Sequence, residues 1–179
     1  MIYVFFAPGF EEIEAITPVD LLRRAGLKVT TVGVGGRQVT GAHGITLTCD
    51  ITDADAAPDN LRMVVLPGGM PGTVNLEKSP VVQRFIGHAA QRGSWLGAIC
   101  AAPSILGKKG LLKGRRATCF PGFEEQLQEA VYTGKPVEQD GNIITARGAG
   151  VAVDFALALV EVLTNAEKAR QLAADLQCP

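Results

Sequence analysis

Short apolar runs alternate along this chain with longer segments in which apolar residues return every three or four positions. The runs at residues 2–6, 28–34, 62–66, 94–99, 116–119 and 142–146 read as strands, and most close on turn residues such as Pro8-Gly9, Gly35-Gly36 and Pro67-Gly68-Gly69. Met63-Val64-Val65-Leu66 shows no polar alternation, as expected of a central strand of a parallel sheet buried on both faces. Residues 44–49 alternate more weakly and suit a short extra strand or hairpin.

The helical pattern is clearest at 80–91, where Val81, Val82, Phe85, Ile86 and Ala89 form one stripe. Thr17-Pro18-Val19-Asp20 starts a helix that Gly26 ends, giving 18–25. If the helix instead runs on from Glu11, the Pro18 ring opposes the carbonyl four residues back, that of Glu14, so either reading puts a backbone irregularity beside Glu14. A helix through Leu106 has to begin almost on Cys100, and a strongly apolar helix at 151–163 precedes a more polar, alanine-rich one. Strands alternating with helices predict an α/β fold with a mostly parallel central sheet and helices on both faces.

Composition narrows the function classes. The 179 residues are 47% hydrophobic and 20% charged, enough for one substantial core, and 1–179 is expected to be a single domain. Seventeen basic against eighteen acidic residues leave a net charge of -1, so nothing points to nucleic acid. The opening apolar run has no basic residues before it and acidic ones soon after, which is not a signal peptide, and no run reaches the roughly 20 residues of a membrane span. A soluble, cytoplasmic protein is expected. Cys49, Cys100, Cys119 and Cys178 form no C-x-x-C pair, so neither a metal site nor a redox dithiol is indicated and free thiols are the default.

In open α/β sheets ligands bind at the carboxyl ends of the strands, and here three strands end in suggestive residues: Glu11, Glu12 and Glu14; Gly68-Gly69; and Cys100. A cysteine at a helix mouth meets the positive end of the dipole and unpaired N–H groups, both of which favour thiolate. The Ala101 N–H is placed for an oxyanion, and Gly68-Gly69 is either a second donor or a plain turn. The other three cysteines read as structural or exposed bystanders. A cysteine nucleophile usually takes a histidine base, but His88 lies beside an apolar stripe, His43 sits in a glycine-rich surface stretch, and no histidine follows Cys100. A carboxyl group remains. A carboxylate beside a thiolate forces the pair to keep a proton, and such a pair can shuttle protons. Glu14, one turn into the helix, fits that role, with Glu11 and Glu12 facing solvent. The repeat of Pro8-Gly9-Phe10-Glu11-Glu12 at Pro121-Gly122-Phe123-Glu124-Glu125 is read as coincident helix-start chemistry.

The motifs Gly9-Phe10-Glu11-Glu12-Ile13-Glu14, Pro18-Val19-Asp20 with Arg23-Arg24-Ala25-Gly26, Val64-Val65-Leu66-Pro67-Gly68-Gly69, Ala98-Ile99-Cys100-Ala101-Ala102-Pro103 and Thr145-Ala146-Arg147-Gly148 occur in that order over nearly the whole chain. In them the sequence resembles the DJ-one family, also called ThiJ/PfpI. The resemblance implies a flavodoxin-like three-layer sandwich, a homodimer with Arg24 near its interface, a nucleophile elbow at Cys100, a hydrogen-bonding acid at Glu14, and Gly69 and Ala101 as oxyanion donors. Some members carry histidine in a Thr-x-His-Pro stretch where this chain has Thr118-Cys119-Phe120-Pro121, and Phe120 cannot move protons.

The function so implied is that of a cysteine enzyme needing no cofactor and no metal, acting on reactive aldehydes such as methylglyoxal or on glycated protein through Cys100 and Glu14. The rival is a redox-sensing stress protein or chaperone in which Cys100 oxidises to sulfenic or sulfinic acid. A thiazole-biosynthesis role finds no phosphate-binding motif.

Overall fold

The computed structural model describes residues 1–178. Strand β1 (Ile2–Phe6) leads into helix α1 (Glu12–Arg24), followed by β2 (Val29–Gly33), β3 (Gln38–Thr40), β4 (Thr46–Thr48), β5 (Ile51–Thr52) and β6 (Met63–Leu66). Helices α2 (Gly72–Lys78) and α3 (Pro80–Arg92), strand β7 (Trp95–Ile99) and helix α4 (Pro103–Lys108) come next. The chain closes with β8 (Arg116–Ala117), β9 (Val131–Tyr132), β10 (Val137–Asp140), β11 (Ile143–Ala146), α5 (Ala152–Leu163) and α6 (Ala166–Asp175).

Seven strands form one sheet in the order β10-β11-β7-β6-β1-β2-β5, parallel throughout except where β10 runs antiparallel to β11. The side-chain period of two divides the core. Ile2, Val4, Phe6, Met63, Val65 and Ile144 face the layer of α1, α5 and α6. Tyr3, Phe5, Val64, Leu66, Leu96 and Ile143 face that of α3 and α4. This is a flavodoxin-like α/β sandwich. Because β1 pairs with β2 on one side and β6 on the other, successive connections leave β1 in opposite directions, which opens a crevice at the carboxyl ends of β1 and β6.

Local chemistry explains the best-defined helix. Ser79 caps α3 by accepting a hydrogen bond from the Val82 N–H, Pro80 occupies the first helical position, and Gly93 ends it with a positive φ of 71°.

Helix α1 follows the longer of the two readings, continuous from Glu12 through Pro18, whose nitrogen cannot donate to the Glu14 carbonyl. Three expectations need correction. Helix α4 begins at Pro103 rather than on Cys100, so residues 100–102 form a turn. The strand expected at 116–119 shrinks to Arg116–Ala117 and pairs with β9 outside the main sheet. Glu12 is buried at 5% exposure, not solvated. Two elements lack a readable pattern: α2 is only seven residues long, and β10 is a polar edge strand. Residues 44–49 supply β4, the second strand of a small hairpin with β3.

Among the described residues, no helix is long and apolar enough to cross a membrane.

Candidate active site

The turn after β1 sets the position of Glu14. Gly9, at φ 84°, donates its N–H to the Thr40 carbonyl and accepts from the Gly72 N–H, so the turn is gripped from both sides. Glu11 caps α1, its Oε2 accepting the Glu14 N–H at 2.7 Å, and donates its own N–H to the Gly68 carbonyl at 3.0 Å. This brings the first turn of α1 against the end of β6. There the Gly68 N–H donates to Glu14 Oε2 at 3.0 Å.

Cys100 follows β7 with φ 64°, a left-handed conformation that a non-glycine residue adopts only when its surroundings impose it. Two hydrogen bonds do so: the Cys100 N–H donates to the Ala146 carbonyl, and the Cys100 carbonyl accepts from Phe120 N–H, both at 2.8 Å. Cys100 and Glu14 meet above Gly68. A methyl group built on that glycine would lie 2.5 Å from Glu14 Oε2 and 2.6 Å from Cys100 Cβ, so no larger residue fits between them.

Burial first, then the charge of Glu14, pushes the Cys100 thiol up to about 12, while N–H groups of Gly69 and Ala101 pull the other way. Burial also raises the Glu14 carboxyl to about 7, against the opposing hydrogen bonds of Cys100, Gly68 and Ala149. The resting pair is therefore a neutral thiol beside a carboxyl poised near neutrality, and not the acidified thiol that a helix mouth predicts. Burial and the Glu14 carboxyl outweigh the Gly69 and Ala101 N–H groups here, and α4, only six residues long, begins three residues beyond Cys100.

Gly69 has φ 91°, and a side chain there would collide with the Glu11 N–H, so this position depends on glycine. Beside the pair lies a cleft of ≈ 410 Å³ lined by Phe120, Pro121, Arg147, Gly148, Ala149, Gly150 and Val151.

Sequence reasoning offered Gly68-Gly69 as a donor or a plain turn without foreseeing the Gly68 bond to Glu14, and it missed the backbone roles of Ala146 and Ala149, for which the Gly148-Ala149-Gly150 run was the available signal. It also missed that buried Glu12 accepts hydrogen bonds from the His43 backbone N–H and shares one with Nδ1, each at 2.8 Å. Burial alone would raise the Glu12 carboxyl, but these bonds hold it below the usual range, and they raise the exposed His43 imidazole in turn. His88 lines a surface hollow with Pro58 and Arg92. Cys49 and Cys119 are buried, with thiols pushed up by burial to about 11 and about 12.

Residues 1–162 match the model of the DJ-1/PfpI family. The chain is 39% identical over 176 residues to the protein dj-1beta of Drosophila melanogaster, covering 97% of this chain and 94% of that one. It is 33% identical over 164 residues to the glutathione-independent glyoxalase DJR-1.2 of Caenorhabditis elegans, covering 90% and 87%. Among solved structures, a cysteine-to-alanine mutant of a DJ-1 superfamily protein from Salmonella typhimurium superposes with a TM-score of 0.94 at 37% identity, over 99% of this chain and 98% of that one. The chain belongs to the DJ-1/PfpI family.

Proposed function

We propose that this protein converts small α-oxoaldehydes such as methylglyoxal to 2-hydroxy acids, with Cys100 as nucleophile and Glu14 as proton carrier. The observation that carries the reading is the shared spot above Gly68, where a thiol and a carboxyl raised to about 7 stand together. A base poised near the working pH can both take and return a proton.

The steps balance without an external oxidant. The sulfur bonds to the aldehyde carbon as the thiol proton passes to Glu14, and Glu14 hands that proton to the aldehyde oxygen, which gives a hemithioacetal and restores the carboxylate. In this reading the Gly69 and Ala101 N–H groups, which favour negative charge on the sulfur, serve as donors to the transient oxyanion. Glu14 then removes the carbon-bound hydrogen of the hemithioacetal and a proton returns at the neighbouring carbon. The aldehyde carbon is thereby oxidised to a thioester and the ketone reduced to an alcohol. Water attacks the thioester, the C–S bond breaks, and Cys100 recovers its proton. The glyoxalase activity named for the Caenorhabditis relative supports this reading.

Oxidation of Cys100 is the rival use of the same thiol, and a solved DJ-1 of Toxoplasma gondii is described as oxidized; burial and Glu14 oppose the thiolate that peroxide needs. Deglycation of protein needs the same pair and a more open approach. We read the chain as one domain, supported by the continuous seven-stranded sheet. We read it as a homodimer on the exposed Ile13 and Ile16 of α1.

The test is lactate formation from methylglyoxal by wild type, Cys100→Ser and Glu14→Gln. Loss of turnover in both variants is the expected result. Turnover equal to wild type in either one, or none in wild type, sinks the proposal.

A further inference from the structure

We infer that the cleft beside Cys100 is a side-group pocket selecting α-oxoaldehydes whose second substituent is an aromatic ring bearing an anionic group, with Phe120 against the ring and Arg147 on the anion. This rests on the aldehyde reading of the Cys100–Glu14 pair and names its substrate class.

Position comes first. The Phe120 N–H donates to the Cys100 carbonyl, the Ala146 carbonyl accepts from the Cys100 N–H, and the Ala149 N–H bears on the Glu14 carboxyl. Phe120-Pro121 and residues 147–151, which carry or adjoin these groups, are the walls of the ≈ 410 Å³ cleft. A substituent on the carbon next to a sulfur-bound aldehyde carbon therefore has this cleft as its neighbour.

The chemistry of the walls comes next. Phe120 is 47% exposed and its ring lies beside Gly148, where a Cβ would sit 3.3 Å from Phe120 Cδ2. An exposed aromatic ring on the cleft wall offers a surface for stacking, a contact worth most in offset or edge geometry. Arg147, next along the wall, donates its backbone N–H to the Pro136 carbonyl, and its guanidinium has no hydrogen-bond or ion-pair partner among the described residues. An exposed guanidinium without a partner on a residue that lines the cleft suits a carboxylate through paired N–H donors. Methylglyoxal fills neither feature.

The test compares kcat/KM for methylglyoxal, phenylglyoxal and 4-carboxyphenylglyoxal in the full chain. In wild type the carboxylated aryl substrate is expected to lead. Arg147→Gln should cut the ratio of 4-carboxyphenylglyoxal to phenylglyoxal about tenfold, the scale of one charge-assisted hydrogen bond, with partial recovery in Arg147→Lys. Phe120→Ala should cut the ratio of phenylglyoxal to methylglyoxal by a similar factor, and Phe120→Tyr should keep it. Ratios unmoved by these changes overturn the inference. If no aldehyde is turned over, the activity itself is refuted, and calorimetric binding of 4-carboxymandelate to the Cys100→Ser protein still reads the cleft. Saturable binding weakened by Arg147→Gln supports the pocket, while no binding, or binding indifferent to Arg147, overturns it.

Discussion

Replacing Glu14 by glutamine should change how the stability of this protein depends on pH, in a direction and by an amount the site dictates. The folded Glu14 carboxyl ionises near about 7, against 4.5 for an unhindered glutamic acid. Between those values the folded state holds a proton that the unfolded chain releases, so stability falls as pH rises. The contribution is fully present below pH 4.5 and is lost by the time the pH has passed 7. A gap of that size corresponds to about 3 kcal/mol. With only 1% of Glu14 exposed, solvent screening removes little of it. Cys100 adds nothing in this window, because its thiol stays neutral until far higher pH. Glutamine can keep the Gly68 N–H bond through its carbonyl oxygen and has no proton to lose. Urea midpoints measured at pH 4.5, 6 and 8 should show wild type losing about 3 kcal/mol more than Glu14→Gln across the range. Contributions from His43, Glu12 and other titrating groups cancel in the difference. Parallel curves for the two proteins would refute the raised carboxyl, and with it the proton-carrying role that depends on it.

Gly68→Ala should leave the circular dichroism spectrum in place and reduce methylglyoxal turnover by about 100-fold, because a displacement of 1 Å between reacting groups costs that much and a methyl group falls between Glu14 and Cys100; near-normal turnover would show that the two side chains need not meet. Glu12→Gln should return the His43 titration, followed by NMR, towards its ordinary 6.5 from its raised position. An unmoved value would mean that the Glu12 contact does not hold the imidazole.

The parallel sheet was legible because its central strands are buried on both faces, and a run such as Met63–Leu66 has no other use in a chain of this size. Helix α3 was legible from the stripe of Val81, Val82, Phe85, Ile86 and Ala89, three or four positions apart. The elements that escaped are those whose residues serve two masters. Helix α2 spends Gly72 on close approach to the turn at Gly9 instead of on periodicity. In β10, Glu138 is buried, hydrogen-bonds Arg116 and lies within ion-pair distance of Lys135, so it reads as a surface charge while acting as an inward-facing residue. Glu12 deceived in the same manner, since only the folded position of His43 explains its burial. Cys100 and Glu14 could be named from strand ends and the missing histidine. The left-handed turn at Cys100 was not legible, because it depends on contacts from Ala146 and Phe120, about 46 and 20 residues away along the chain.

The surroundings of Cys100 bear directly on the choice between the two chemistries open to a cysteine in this position. A sensor thiol must be ionised before its oxidant arrives, so its surroundings have to favour thiolate at rest. Here the surroundings oppose it: burial and the neighbouring carboxyl both keep the proton on sulfur, and the Gly69 and Ala101 N–H groups only partly offset them. A nucleophile that works through a partner base has the opposite requirement, since it needs its charge only while an electrophile is bound. A neutral thiol paired with a base near pH 7 meets that requirement, and proton transfer within the pair creates the nucleophile at the moment of attack. The same N–H groups that are too weak to ionise the resting thiol then face a charge moving onto the substrate oxygen, where fixed donors contribute most. The reluctance of the Cys100 thiol to ionise is thus a property expected of aldehyde chemistry that runs through Glu14.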